Sequence, residues 1–101
     1  MARLLLQSGG YLVVGEAGTA TDALTVARDL EPDLVLLDVL LPDGNGADVA
    51  DLLAALPHPP GVVLTSSYED GGLGQRLATV PVLGFVPKDE LTVGRLAELF
   101  G

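Results

Sequence analysis

Cysteine is absent from this chain, which excludes disulfides, thiolate metal sites and cysteine nucleophiles together. Histidine is scarce: His58 is the single one, so no two-histidine metal site can form within one chain. Positive charge is scarce as well. Five Lys and Arg against fourteen Asp and Glu leave a net charge of −9. That is opposite to the clustered cations that neutralise nucleic-acid phosphates, and it is unsuited to anionic membrane surfaces. No apolar run approaches the ~20 residues that span a bilayer. The N-terminal segment, with Arg3 as its one basic residue and only a short apolar stretch, lacks the form of a signal peptide. A soluble, acidic chain is left, expected in the cytoplasm and expected to bind neither nucleic acid nor membrane.

What is present suits one small domain. The chain has 101 residues, of which 49% are apolar, enough for a core without covalent staples. Two periodicities alternate along it. Continuous apolar runs at Tyr11–Val14, Leu34–Leu37, Val62–Leu64 and Val82–Val86 are bounded by Gly, Pro or Asp, the pattern of strands buried on both faces. Between them lie stripes at helical spacing: Ala23, Leu24, Ala27 and Leu30; then Val49, Leu52, Leu53 and Leu56; then Val93, Leu96, Ala97 and Phe100. Thr19 with Asp22 and Asn45 with Asp48 have the spacing of helix caps, and Asp89 is the expected cap of the last helix. Ala2–Ser8 reads as a short helical stub ended by Gly9-Gly10, and Glu69–Ala78 as a weak helix. Strict alternation implies a parallel sheet with helices on both faces: one three-layer α/β domain over residues 1–101, with no output domain expected.

In such folds ligands bind outside the carboxyl ends of the strands. The second run closes on Asp38, the third on Thr65-Ser66-Ser67, the fourth on Pro87-Lys88. Taken singly, each has an ordinary reading as a solvated or turn residue. Together they bring a carboxylate, a hydroxyl and an ammonium to one rim. Gly15-Glu-Ala-Gly18 is too poor a phosphate loop to suggest a nucleotide-binding fold. His58, among prolines, is a loop residue without a role.

These residues resemble a family. Leu34-Val-Leu-Leu-Asp38-Val-Leu-Leu-Pro42-Asp-Gly-Asn-Gly46 is similar to the phosphoacceptor segment of bacterial response-regulator receiver domains, with a proline four and a glycine eight residues after the aspartate. Val62-Val-Leu-Thr65, Gly84-Phe85-Val-Pro-Lys88 and Val13-Val-Gly-Glu-Ala17 resemble further strands of that family, so the resemblance covers essentially the whole chain. It implies a flavodoxin-like fold and a non-enzymatic role in a two-component phosphorelay, with a histidine kinase as partner. Asp38 would be the phosphoacceptor, forming an acyl phosphate. Thr65, or alternatively Ser66, would donate to a phosphoryl oxygen, and Lys88 would pair with the dianion or the bare carboxylate. Phe85 would be a switch aromatic or an ordinary core ring. The backbone carbonyl of Leu40 would join Asp38 at Mg²⁺. An aspartate-nucleophile phosphatase would need an acid two residues after Asp38, where Leu40 stands.

The family begins with a strand ending in paired acids, central in the strand order 2-1-3-4-5, and no such run precedes Tyr11. The expected sheet is therefore truncated to about four strands. The magnesium site is reduced to Asp38 and one carbonyl, against the oxygen-rich octahedron Mg²⁺ requires. Glu16 reads as a solvated rim acid. The alternative to a phosphoacceptor is a degenerate receiver that acts by contact alone. The gap in the sheet predicts either sliding of the Tyr11 strand onto the Leu34 strand or a homodimer through an exposed edge or exchanged elements.

Overall fold

The computed structural model describes residues 1–7, 10–66 and 79–100. The expected helix at Glu69–Ala78 and Ser67 lie outside the described residues. Five strands form the main sheet: β1 (Ala2–Gln7), β2 (Tyr11–Ala17), β3 (Leu34–Asp38), β6 (Gly61–Ser66) and β7 (Gly84–Pro87), in the order β2-β1-β3-β6-β7. A two-stranded ribbon, β4 (Leu40–Leu41) with β5 (Gly44–Asn45), stands apart from it. The described helices are α1 (Ala20–Leu30), α2 (Gly46–Ala54) and α3 (Val93–Phe100). None is long and apolar enough to cross a membrane.

The departure from the sequence expectation is at the N-terminus. Ala2–Gln7 is a strand, not a helical stub, and it fills the central slot. It runs antiparallel to both neighbours: Gln7 pairs with Tyr11 and Ala2 with Ala17 on one side, and Ala2 with Leu37 and Leu5 with Leu34 on the other. The sheet is thus mixed, with five strands rather than four. Only β3, β6 and β7 run parallel. The physical reason is the slot itself. Unmade buried ladder bonds cost about 1–3 kcal/mol each, which outweighs the tenths of a kcal/mol by which leucines favour a helix.

A bulge between Leu4 and Leu5 lets the leucine run serve both faces. Ala2 and Leu4 join the larger core with Ala23, Ala27, Val35 and Leu53, while Leu5 joins Leu34, Leu36, Val63 and Leu96 under α3. The Asp33 carboxylate accepts the Gln7 N–H at 2.8 Å and the Leu5 carbonyl accepts the Asp33 N–H at 2.9 Å, tying β1 to the start of β3. The edges of the predicted gap are therefore paired within one chain. The Tyr11 strand does not slide onto β3, and the Leu34 edge is not open for a homodimer. Edge exchange through the gap loses its premise.

The caps follow the sequence at two helices and depart from it at the third. Thr19 Oγ1 accepts the Asp22 N–H at 3.1 Å, and Asn45 Oδ1 accepts the Asp48 N–H at 3.0 Å. Asp89 does not cap α3, because Lys88–Glu90 form a single 3-10 turn. Thr92 takes that place, its Oγ1 accepting the Arg95 N–H at 3.1 Å.

Candidate functional site

Parallel strands β3, β6 and β7 place their carboxyl ends together. In register, Asp38 lies beside Thr65 and Thr65 beside Val86, two residues before Lys88. Alternation along the strands puts Leu36, Asp38, Val63, Thr65 and Lys88 on the α3 face. Lys88 Nζ stands 3.1 Å from Asp38 Oδ2. The Asp38 side chain is 23% exposed and that of Lys88 49%, so the carboxylate is the more shielded partner of a pair that still meets solvent. The Met1 α-amino group reaches the same oxygen, also at 3.1 Å.

The loop after Asp38 is held tightly. The Thr65 carbonyl accepts the Val39 N–H at 3.0 Å, and the Val39 carbonyl accepts the Gly46 N–H at 2.6 Å. A Cβ on Gly46 would lie 2.5 Å from the Asp38 carbonyl oxygen and 3.1 Å from Val39 Cα. The glycine eight residues after the aspartate is thus a close-approach residue that lets α2 start against the Asp38 backbone.

A cavity of about 470 Å³ opens on this rim, lined by Arg3, Asp38, Thr65 and Lys88 over Leu36 and Leu91. That is the size range of small-molecule sites. Thr65 is 4% exposed, and its Oγ1 is buried with no hydrogen-bond partner among the described residues. Such an atom costs about 1–3 kcal/mol unless something arrives to satisfy it. Arg3 is a lining residue that sequence reasoning missed, since its position depends on the reversed β1. Its Nε lies 3.8 Å from Glu16 Oε1, both side chains being more than half exposed.

The other sequence candidates lie elsewhere. Ser66 is buried next to Thr65, yet it does not line the cavity. Phe85 pairs in register with Leu64 and packs against the α1–α2 side of the sheet, away from Thr65. Leu40 is exposed in β4 and is not part of the cavity wall.

The donor set does not fit Mg²⁺. A hard divalent ion takes about six oxygens, with carboxylates prominent among the protein ligands. Here the cavity offers one carboxylate, and the Lys88 ammonium already pairs with it. Among the described residues no cluster of three or more acids or histidines could hold a metal.

Asp43, the next acid after Asp38 in the chain, is committed to another task. Its Oδ1 accepts the Ala20 N–H at 2.6 Å, and its Oδ2 accepts the Thr21 N–H at 3.2 Å and the Thr21 hydroxyl at 3.1 Å. These bonds tie the β4–β5 ribbon to the N-terminus of α1, where a negative charge is favoured. The Ala20 N–H above all holds the Asp43 carboxyl below its ordinary value of 3.8. A depressed folded-state value means that the stabilisation is complete above pH 3.8 and is lost as pH falls through the lower value. The thermal midpoint of Asp43→Asn should therefore lie a constant interval below that of the parent chain well above pH 3.8. The two should converge as the pH drops beneath it. An interval independent of pH down to the acid limit would contradict the linkage.

Comparison with known proteins gives a consistent picture. The sequence profile of the response regulator receiver domain matches residues 1–99. The transcriptional regulatory protein PdtaR of Mycobacterium tuberculosis is 32% identical over 104 residues, covering 94% of this chain and 51% of that protein. The chain thus spans about half the length of that curated relative. The signal receiver domain of a putative NarL response regulator from M. tuberculosis superposes with a TM-score of 0.73 at 30% identity, covering 86% of this chain and 69% of the other. The receiver domain of a modulated diguanylate cyclase from Desulfovibrio desulfuricans G20, described as an example of alternate folding, gives a TM-score of 0.74 at 31% identity. That match covers 94% of this chain and 77% of the other.

Proposed function

This chain belongs to the response regulator receiver domain family, and on that premise we propose that Asp38 accepts a phosphoryl group from a histidine kinase. Receiver domains are regulatory parts of two-component systems, interact with histidine kinases and often dimerise. The observation that carries the reading is the cavity lined together by Asp38, by the Lys88 paired with it and by Thr65, whose buried hydroxyl has no partner among the described residues.

The chemistry follows from these positions. Lys88 reaches Asp38 Oδ2, which leaves Oδ1 to attack phosphorus. A P–O bond forms to the carboxylate, and the P–N bond to the donor histidine breaks with the imidazole leaving. The product is a neutral acyl group bearing a dianion. Lys88, freed from a carboxylate that no longer exists, follows the charge onto the phosphoryl oxygens. Thr65 Oγ1 gains the acceptor it lacks. A histidine-kinase partner of this kind implies a cytoplasmic location for the chain.

A phosphorylation-independent interaction module is the second reading, favoured by the Lys88 ammonium already paired with Asp38. Intact-mass measurement after incubation with acetyl phosphate and Mg²⁺ separates the two. A gain of one phosphoryl group, absent in Asp38→Asn, is the expected result. An unchanged mass in the parent chain overturns the phosphoacceptor role and leaves contact alone.

A further inference from the structure

We propose that Arg3 replaces the divalent metal at this site, so that the cavity holds a phosphoryl group on Asp38 without Mg²⁺. The inference rests on the phosphoacceptor reading above and extends it to the identity of the charge-neutralising group. Two independent observations carry it. The first is the composition of the cavity wall, in which Asp38 is the one acid and Arg3 and Lys88 are its cationic side chains. The second is the buried, unpartnered Thr65 hydroxyl on the same wall, a donor with nothing to donate to among the described residues.

Charge decides between an anion and a second cation as the missing occupant. A divalent ion would have to displace the Lys88 ammonium held 3.1 Å from Asp38, in a cavity whose wall also carries Arg3. A phosphoryl dianion meets the opposite situation. Lys88 pairs with one oxygen, Thr65 donates to another, and the guanidinium fork suits the remaining one or two. Arg3 is placed for this by β1. It pairs in register with Leu36, two residues before Asp38 on the same face of β3. Its present partner, Glu16, is a loose contact at 3.8 Å between two exposed side chains, so releasing the guanidinium costs little. Arg3 rather than the α-amino group of Met1 carries the inference, because the guanidinium keeps its charge whatever precedes it in a chain.

With a small acyl phosphate as donor the step balances without a proton or an electron. Asp38 Oδ1 forms the new bond to phosphorus, the P–O bond to the donor's acyl oxygen breaks, and the carboxylate departs as an anion. Arg3 and Lys88 neutralise the charge that builds on the equatorial oxygens during transfer.

Acetyl phosphate labelling of Asp38, followed by intact mass in EDTA and separately in Mg²⁺, tests this. Labelling in EDTA at a rate similar to that in Mg²⁺ is the expected result. Arg3→Gln should slow the EDTA reaction roughly 100-fold, and Arg3→Lys should recover part of the rate. Because Arg3 is exposed, both variants should keep the parent circular dichroism, which is recorded alongside. Labelling that appears only with Mg²⁺, or an Arg3→Gln variant as fast as the parent in EDTA, overturns the role of Arg3 and leaves Asp38 as phosphoacceptor. No labelling in either medium removes the phosphoacceptor reading and this inference with it.

Discussion

Leu4→Asp should abolish the fold, and Leu4→Ala should leave it folded but weakened by about 2–5 kcal/mol. Leu4 is fully buried and packs in the larger core with Val35, Leu37 and Ala23. It also sits mid-strand in β1, paired with Gly15 on one side and Val35 on the other. Truncation to alanine loses the transfer energy of the side chain and leaves a cavity. That takes a large share of a total stability of about 5–15 kcal/mol. Aspartate adds an uncompensated buried charge, which costs several kcal/mol more. A far-UV circular dichroism spectrum without cooperative thermal transition is expected for Leu4→Asp, and a lowered denaturant midpoint with an unchanged slope for Leu4→Ala. Were residues 1–7 a helical stub outside the core, the aspartate would be solvated and the midpoint would barely move. A near-parental midpoint for Leu4→Asp would therefore sink the reversed central strand, and with it the placement of Arg3.

That strand marks where local reading runs out. Leu34–Leu37 and Val62–Leu64 are legible as buried strands because their valines and flanking turn residues agree with their apolar runs. The caps at Thr19 and Asn45 are legible because capping is a local exchange over three residues. Arg3-Leu-Leu-Leu-Gln7 is a leucine run with no β-branched residue, and a bulge at Leu4/Leu5 removes the alternation that would have identified it. What makes it a strand is a vacant slot between β2 and β3, and its direction is set by the short connection to Tyr11. Neither is a property of the segment itself. The site divides the same way. Asp38, Thr65 and Lys88 close consecutive parallel strands, so their convergence can be read along the chain. Arg3 reaches the cavity only through β1, and Asp43 grips α1 only because the β4–β5 ribbon folds back beside it. Phe85 shows the converse. Its sequence position three before Lys88 suggests the site, while strand alternation turns its ring to the opposite face.

Thr65→Val should move stability and phosphoryl transfer in opposite directions. The Thr65 Oγ1 atom is buried without a hydrogen-bond partner among the described residues, a state that costs about 1–3 kcal/mol relative to a hydrated hydroxyl. Valine keeps the branched shape that suits a central strand and removes the unsatisfied atom. A gain of about 1–3 kcal/mol follows, which at about 4–8 °C per kcal/mol for a domain of this size is a readily measured rise in Tm. The same change deletes the hydroxyl of a residue that lines the cavity beside Asp38 and Lys88. Losing one such preorganised donor slows transfer roughly 100-fold or more. Thr65→Ser provides the control, since it keeps the hydroxyl and gives up only the methyl group. It should label with acetyl phosphate at nearly the parent rate while losing some stability. The neighbouring Ser66 hydroxyl is the competing assignment, and the pair of variants separates them. If Thr65→Val labels as fast as the parent and is no more stable, the hydroxyl that meets the phosphoryl group is not that of Thr65. If the valine variant is both hotter-melting and slow, the native threonine is a destabilising residue held in place for the anion it awaits.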